Sequence, residues 1–222
     1  MEEGPDGFSV LLDGRGVRTP AGAEFAVANR ALATEIAAEW QAQRDKIDPA
    51  TMPMTKRANT ALDRVRGRED EVVEDIVSYA SSDLLSYRAE NPNGLVEMQA
   101  AHWDPVLAWV LSEFGAPFEV QTGIAHTDQP EKSMKRIRSA FAAHDFLALT
   151  PLHTMTTLMG SALLTLACAH RHLDADQTWA AAHVDEDWQI AQWGEVEEAA
   201  ARRAVRRAEF DADIRFLALV SG

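Results

Sequence analysis

The sequence lacks most of what marks a dedicated chemistry. It holds a single cysteine, Cys168, in 222 residues, which excludes an internal disulfide framework and any zinc site built from several cysteines. Positive charge is scarce: 21 Lys and Arg stand against 35 Asp and Glu, a formal charge of −14. Nucleic acids and anionic membranes are met by clustered Lys and Arg, so this balance speaks against both. No Gly-x-Gly-x-x-Gly, Gly-Lys-Ser/Thr, Gly-x-Ser-x-Gly or His-Glu-x-x-His occurs, so no motif points to nucleotide, nucleophilic or zinc-hydrolase chemistry. Long apolar runs are missing as well. Phe146 to Ala169 carries no charge, but Pro151, His153 and five threonines interrupt it, and it reads as a buried helix rather than a membrane span. Met1 to Gly7 is acidic and turn-rich, unlike a secretory or transit leader. A soluble chain is expected.

What is present is ordinary globular usage, 46% hydrophobic and 25% charged, enough for one large domain or two small ones. Residues 8–12, 17–19 and 24–27 read as short strands punctuated by Asp13-Gly14-Arg15-Gly16 and Pro20-Ala21-Gly22, a small meander. Leu32, Ile36 and Trp40 then recur at helical spacing behind Asn29 as N-cap. Met52-Pro53-Met54-Thr55 reads as a connector into helical pattern at 58–65, which Arg66-Gly67-Arg68 breaks before the next helix. Asn91-Pro92-Asn93-Gly94 is the strongest punctuation, and the expected domains are 1–93, with the strands, and 94–222, a helical bundle. Trp103-Asp104-Pro105 is expected to open a helix that Gly115-Ala116-Pro117 stops, and 118–122 alternates like a late strand. Helices are expected at about 131–144, 150–170, 175–192 and 195–219. The predicted fold class is α+β.

Few residues suggest chemistry. Asp13-Gly14-Arg15-Gly16 has no helix directly after it, so it is a hairpin turn rather than an anion loop. Cys168 lies in an apolar run with only His170 as a cationic neighbour, which suits a core residue better than a nucleophile. His170 and His172 are two residues apart and would point apart on a helix, away from a shared metal. The informative segment is Asp174 to Glu198, with eight acids and no Lys or Arg. On one continuous helix Ala180, Val184, Trp188 and Ala191 fall inward, with Trp188 buried. Asp185, Glu186 and Gln189 fall outward, Asp187 lies at the margin, and Trp179 and Ile190 lie near the acidic side. Three readings fit: a solvated acidic face, a protein-binding surface of aromatics among acids, or a hydrolase using Asp185, Glu186 and His183 as acid, base or metal ligand.

Several segments, in this order, resemble one family: the assembly chaperones of the ATP synthase alpha subunit found in mitochondria and alphaproteobacteria. They are Leu11 to Pro20, Ala38-Glu39-Trp40, Met52 to Thr55 with Asn59 to Asp63, Ser82-Asp83-Leu84-Leu85-Ser86-Tyr87-Arg88, Trp103-Asp104-Pro105, and Asp185-Glu186-Asp187-Trp188-Gln189 with Trp193-Gly194. Serines replace the threonine and cysteine of the family's Thr-Asp-Leu-Leu-Cys-Tyr-Arg pattern. The resemblance implies an α+β fold, no enzymatic activity and no cofactor. It implies a protein that holds the free alpha subunit, covers the surface that later meets the beta subunit, and releases it as the hexamer forms. It directs attention to the acidic segment, where the expected client-binding residues are Asp185, Glu186, Asp187, Gln189, Trp193 and Glu195. A bacterial member would be cytoplasmic and monomeric when free.

Overall fold

Short strands and tight turns open the chain because its glycines stand where backbone must bend sharply. The computed structural model describes residues 1–5, 7–123 and 125–221. Strands β1 (Glu2–Gly4), β2 (Gly7–Ser9) and β5 (Ala26–Val27) form an antiparallel sheet in the order β1-β2-β5. Between them β3 (Leu11–Leu12) and β4 (Arg15–Gly16) make a hairpin whose two turn residues, Asp13 and Gly14, both have positive φ, as the tightest hairpins require. The acidic N-terminus thus supplies a strand, β1, that its composition did not announce. The apolar run at 8–12 is two strands rather than one, parted at Val10, which is buried.

Helix α1 (Arg30–Gln41) begins at Asn29, whose side chain accepts from Ala31 and Leu32 N–H, and buries Leu32, Ala33 and Ile36. Helix α2 (Pro53–Thr60) starts five residues earlier than the pattern suggests. The Glu39 carboxylate, on α1, accepts from Met54 N (2.6 Å), Thr55 N (2.8 Å) and the Thr55 hydroxyl (2.7 Å). The supposed connector is therefore the first turn of a helix, with Pro53 at its start and its orphan N–H groups satisfied from a distant residue. A π-helical turn, Ala61–Val65, continues α2 until Arg66 and Gly67 end it. These elements, with 144–151 and 211–222, form one compact unit. Its core joins Val10, Phe25, Leu32, Ile36, Met54, Leu62, Leu147 and Phe216, and a buried ion pair, Arg57 to Asp213 at 2.5 Å, lies in the same unit.

The second unit comprises 70–143 and 152–210. Its helices are most of α3 (Glu69–Ser81), α4 (Asn93–Phe114), α5 (Glu131–Ala142), the later part of α6 (Phe146–Met159), α7 (Ala162–Ala169), α8 (Ala175–Ala182), α9 (Val184–Trp193) and most of α10 (Glu197–Ser221). A parallel pair, β6 (Tyr87–Arg88) with β7 (Gln121–Thr122), contains the late strand. Trp103 is fully buried and donates its indole N–H to Ala181 O at 2.7 Å. The expected boundary between 1–93 and 94–222 falls inside this unit, because Asn93 and Gly94 start α4 rather than a linker.

Three further expectations are corrected. Trp103-Asp104-Pro105 lies within the 22-residue α4; Asp104 is no cap but pairs with Arg88 at 2.8 Å. The helix expected at 150–170 is two, parted at Gly160, which has φ 68°, with Ser161 capping Leu164 N at 3.0 Å. The first begins early because Asp145 accepts from Ala148 N. The helix expected at 175–192 is also two, α8 and α9, parted at His183. The architecture is α+β, and no helix among the described residues is long and apolar enough to cross a membrane.

Candidate functional site

The break at His183 decides which residues of the acidic segment reach solvent. Asp174 and Gln177 close a capping box that starts α8, a strong N-terminal signal. The helix stops after two turns, and α9 sets out with a new phase. Trp179, expected near the acidic face, is buried instead; it stacks on His183 with centroids 3.9 Å apart and lies 5.5 Å from Phe210. His183 is buried too, with Nδ1 2.8 Å from Trp179 O. Burial, then the charges of Arg206 and Arg203, hold its pKa below the usual imidazole value.

Helix α9 is fastened by two contacts with α4. Asp185 accepts from Gln99 Nε2 at 2.7 Å, while the buried Gln99 accepts from Ala89 N at 2.9 Å. Trp188 lays its ring over Gly94 so closely that a Cβ there would sit 2.5 Å from the ring. The glycine is what lets an indole approach a helix backbone. Trp188 is half-buried rather than enclosed, and Ala191, expected to face inward, is exposed. Asp187 pairs with Arg203 of α10 at 2.5 Å, and Glu186 lies 3.9 Å from the same guanidinium. Asp176 meets Arg207 at 2.5 Å and Glu198 meets Arg202 at 3.0 Å. The segment without a base is therefore partly neutralised by the arginines of α10.

What remains outward is the corner where α9 turns into α10 through Gly194, φ 83°. Trp193 is 79% exposed and Val196 is 66% exposed. Beside them a hollow of about 250 Å³ is lined by Glu186, Gln189, Ile190, Trp193, Glu195 and Arg203, among others. Of the six sequence candidates, Glu186, Gln189, Trp193 and Glu195 meet at this hollow; Asp185 and Asp187 are held by Gln99 and Arg203 instead. Gly94, Gln99 and Arg203 were not singled out in advance, and only the Asn-Gly pair at Gly94 carried a visible signal.

The arrangement suits contact better than acid–base chemistry. Asp185 turns to Gln99 while Glu186 and Asp187 share Arg203, and His183 Nε2 is enclosed with no hydrogen-bond partner among the described residues. Among the described residues no three His, Cys, Asp or Glu gather as a metal would need. His172 stacks on Trp109 at 4.8 Å and His170 meets Phe114 edge-on at 5.3 Å. Cys168 is half-buried, and burial pushes its thiol pKa up, the opposite of an activated nucleophile.

Residues 1–111 match the family model described as ATP12 chaperone protein. The whole chain is similar in structure to Atp12 from Paracoccus denitrificans: 38% identity, TM-score 0.94, covering 98% of this chain and 94% of that one. A mutant form of the same Paracoccus protein matches with the same identity and TM-score over 98% and 93%. The Atu1473 protein of Agrobacterium tumefaciens is 43% identical, with a TM-score of 0.93 over 96% of this chain and 80% of its own.

Proposed function

This chain belongs to the ATP12 chaperone family, and from that premise we propose that it is a non-enzymatic assembly chaperone for the alpha subunit of F-type ATP synthase. It holds the free subunit, covers the surface destined for the beta subunit, and gives it up to that neighbour. For a bacterial protein this would take place in the cytoplasm, where the subunit is made. The observation that carries the reading is the Trp193 and Val196 corner: two large apolar side chains in water beside a hollow rimmed by Glu186 and Glu195. An exposed tryptophan at the edge of a concave patch is the usual form of a binding anchor. The hollow takes an apolar group from the client while the acids face a polar or basic rim.

The physical need is plain. A subunit of an obligate ring carries an interface of thousands of Å², more hydrophobic than ordinary surface, and aggregates while that interface is bare. A chaperone that is later displaced must bind more weakly than the native neighbour, so one or two anchors suffice. A Trp anchor is typically worth about 2–4 kcal/mol, which is about 30- to 1000-fold in Kd. Co-expression of the alpha subunit with this protein should raise its soluble yield and give a complex on gel filtration. Trp193→Ala should abolish that complex with little change in melting temperature, since the ring touches mainly water. No complex with the native chain refutes the function; an unimpaired Trp193→Ala complex refutes the anchor.

A further inference from the structure

The first unit contains a second surface that the α9 corner does not account for. Two hollows, of about 360 Å³ and 500 Å³, share Pro20, Asn59 and Thr60 and so form one groove beside α2. One end is apolar, walled by Trp40, Ile47, Pro49 and Met52, and Ile47 stands 59% exposed there. The other end is polar, with Asp63, Arg64 and Ala21. Asp63 fixes that end by accepting from Ala21 N at 3.0 Å through one oxygen.

Three side chains of this groove keep a polar atom out of water with no hydrogen-bond partner among the described residues: Trp40 Nε1, Asn59 Oδ1 and Asp63 Oδ1. A covered polar atom left without a partner is destabilising, and native proteins hold few of them. The backbone is unusual at the same place. The π-helical turn Ala61–Val65 includes Asp63 and Arg64, and π-turns are rare and frequent at functional sites.

We propose that this groove binds an extended segment of the client polypeptide, a second contact in addition to the α9 corner; this rests on the chaperone reading above. The apolar end takes one large hydrophobic side chain. Along the groove the covered indole donor of Trp40 lies at the apolar end and the covered oxygens of Asn59 and Asp63 lie toward the polar end, together the complement of a backbone that presents both C=O and N–H. Asn59 and Asp63 are four residues apart on the helix, about 6 Å by helical rise. Same-edge amides of an extended strand repeat at about 6.8 Å, so two successive outward N–H groups match that spacing once the covered oxygens of Asn59 and Asp63 rotate toward the groove. The groove mixes Lys56 and Arg64 with Asp63, which fits neither an anionic polymer nor a cation and favours a neutral peptide.

The test places a photo-reactive benzophenone side chain at Ile47 in one variant and at Val196 in another. Each is irradiated with co-expressed alpha subunit. Adducts from both positions are expected, and competition by an Asn59→Leu, Ile47→Asp chain should be about tenfold weaker than by the native chain, at an unchanged melting temperature. An adduct from Val196 with none from Ile47 overturns the groove and leaves the chaperone function standing. Adducts from neither position overturn both.

Discussion

Asp83 offers a test of how burial and hydrogen bonding share the control of a single carboxylate. It is fully buried in the second unit, accepting from the Ser161 hydroxyl at 2.7 Å, Leu163 N at 3.1 Å and Leu85 N at 3.2 Å. Burial raises its pKa from an ordinary 3.8 to about 6, against the lowering effect of those donors. A raised acid binds its proton more tightly folded than unfolded. The stability it contributes is therefore complete below pH 3.8 and is lost as pH rises through about 6. Linkage gives a contribution of about 1 kcal/mol at pH 5 that has all but vanished by pH 7. Asp83→Asn keeps the shape and removes the titration. Urea unfolding of both proteins at pH 5, 6, 7 and 8 isolates this group, because every other carboxylate cancels in the difference. The native chain should exceed the variant at pH 7 by about 1–3 kcal/mol, since an amide turns its NH₂ toward a backbone donor. That margin should widen toward pH 5 by about the amount worked above. A margin that stays flat, or grows with pH, would refute the reasoning: the N–H groups around α7 would then outweigh burial and hold the carboxylate ionised.

Other residues give sharper local tests. Gly94→Ala drives a Cβ into the Trp188 ring. It should cost about 1–3 kcal/mol and shift tryptophan emission as α9 moves, whereas an unchanged melt and spectrum would remove the close approach. Glu39→Ala leaves Met54 N, Thr55 N and the Thr55 hydroxyl without their acceptor. A loss of about 1–3 kcal/mol is expected, and hydrogen exchange should quicken at the start of α2. Glu39→Gln, which keeps one acceptor oxygen, should recover part of that loss.

Local signals were legible where the partner is a chain neighbour. Asn29 caps α1, and Asp13-Gly14 turns the hairpin. Long-range partners were not legible. Glu39 starts α2 from 14 residues upstream of its first proline, and Pro53 itself is the one local mark of that start. Asp104-Pro105 copies a helix start, yet the aspartate is engaged by Arg88 and the helix runs through. His183 divides α8 from α9 without a glycine or proline, so the assumed single helical phase placed Trp179 outside and Ala191 inside. For the candidate surface, composition pointed to the segment, but Arg203 on α10 decides that Glu186 and Asp187 are part-covered while Asp176, though paired with Arg207, stays in solvent. The exposed Trp193 and its hollow depend on the turn at Gly194.

The assembly of the first unit from distant stretches has a consequence for its birth on the ribosome. Phe216 completes the core around Leu32 and Ile36, and Asp213 neutralises an arginine 156 residues before it. At translation rates of about 5–20 residues per second, that arginine waits roughly 8–30 s for its partner to be made. The N-terminal strands and α1 therefore emerge with an apolar face that no later contact has yet closed. A member of the ATP12 chaperone family is thus itself exposed in this way until α10 supplies Asp213 and Phe216.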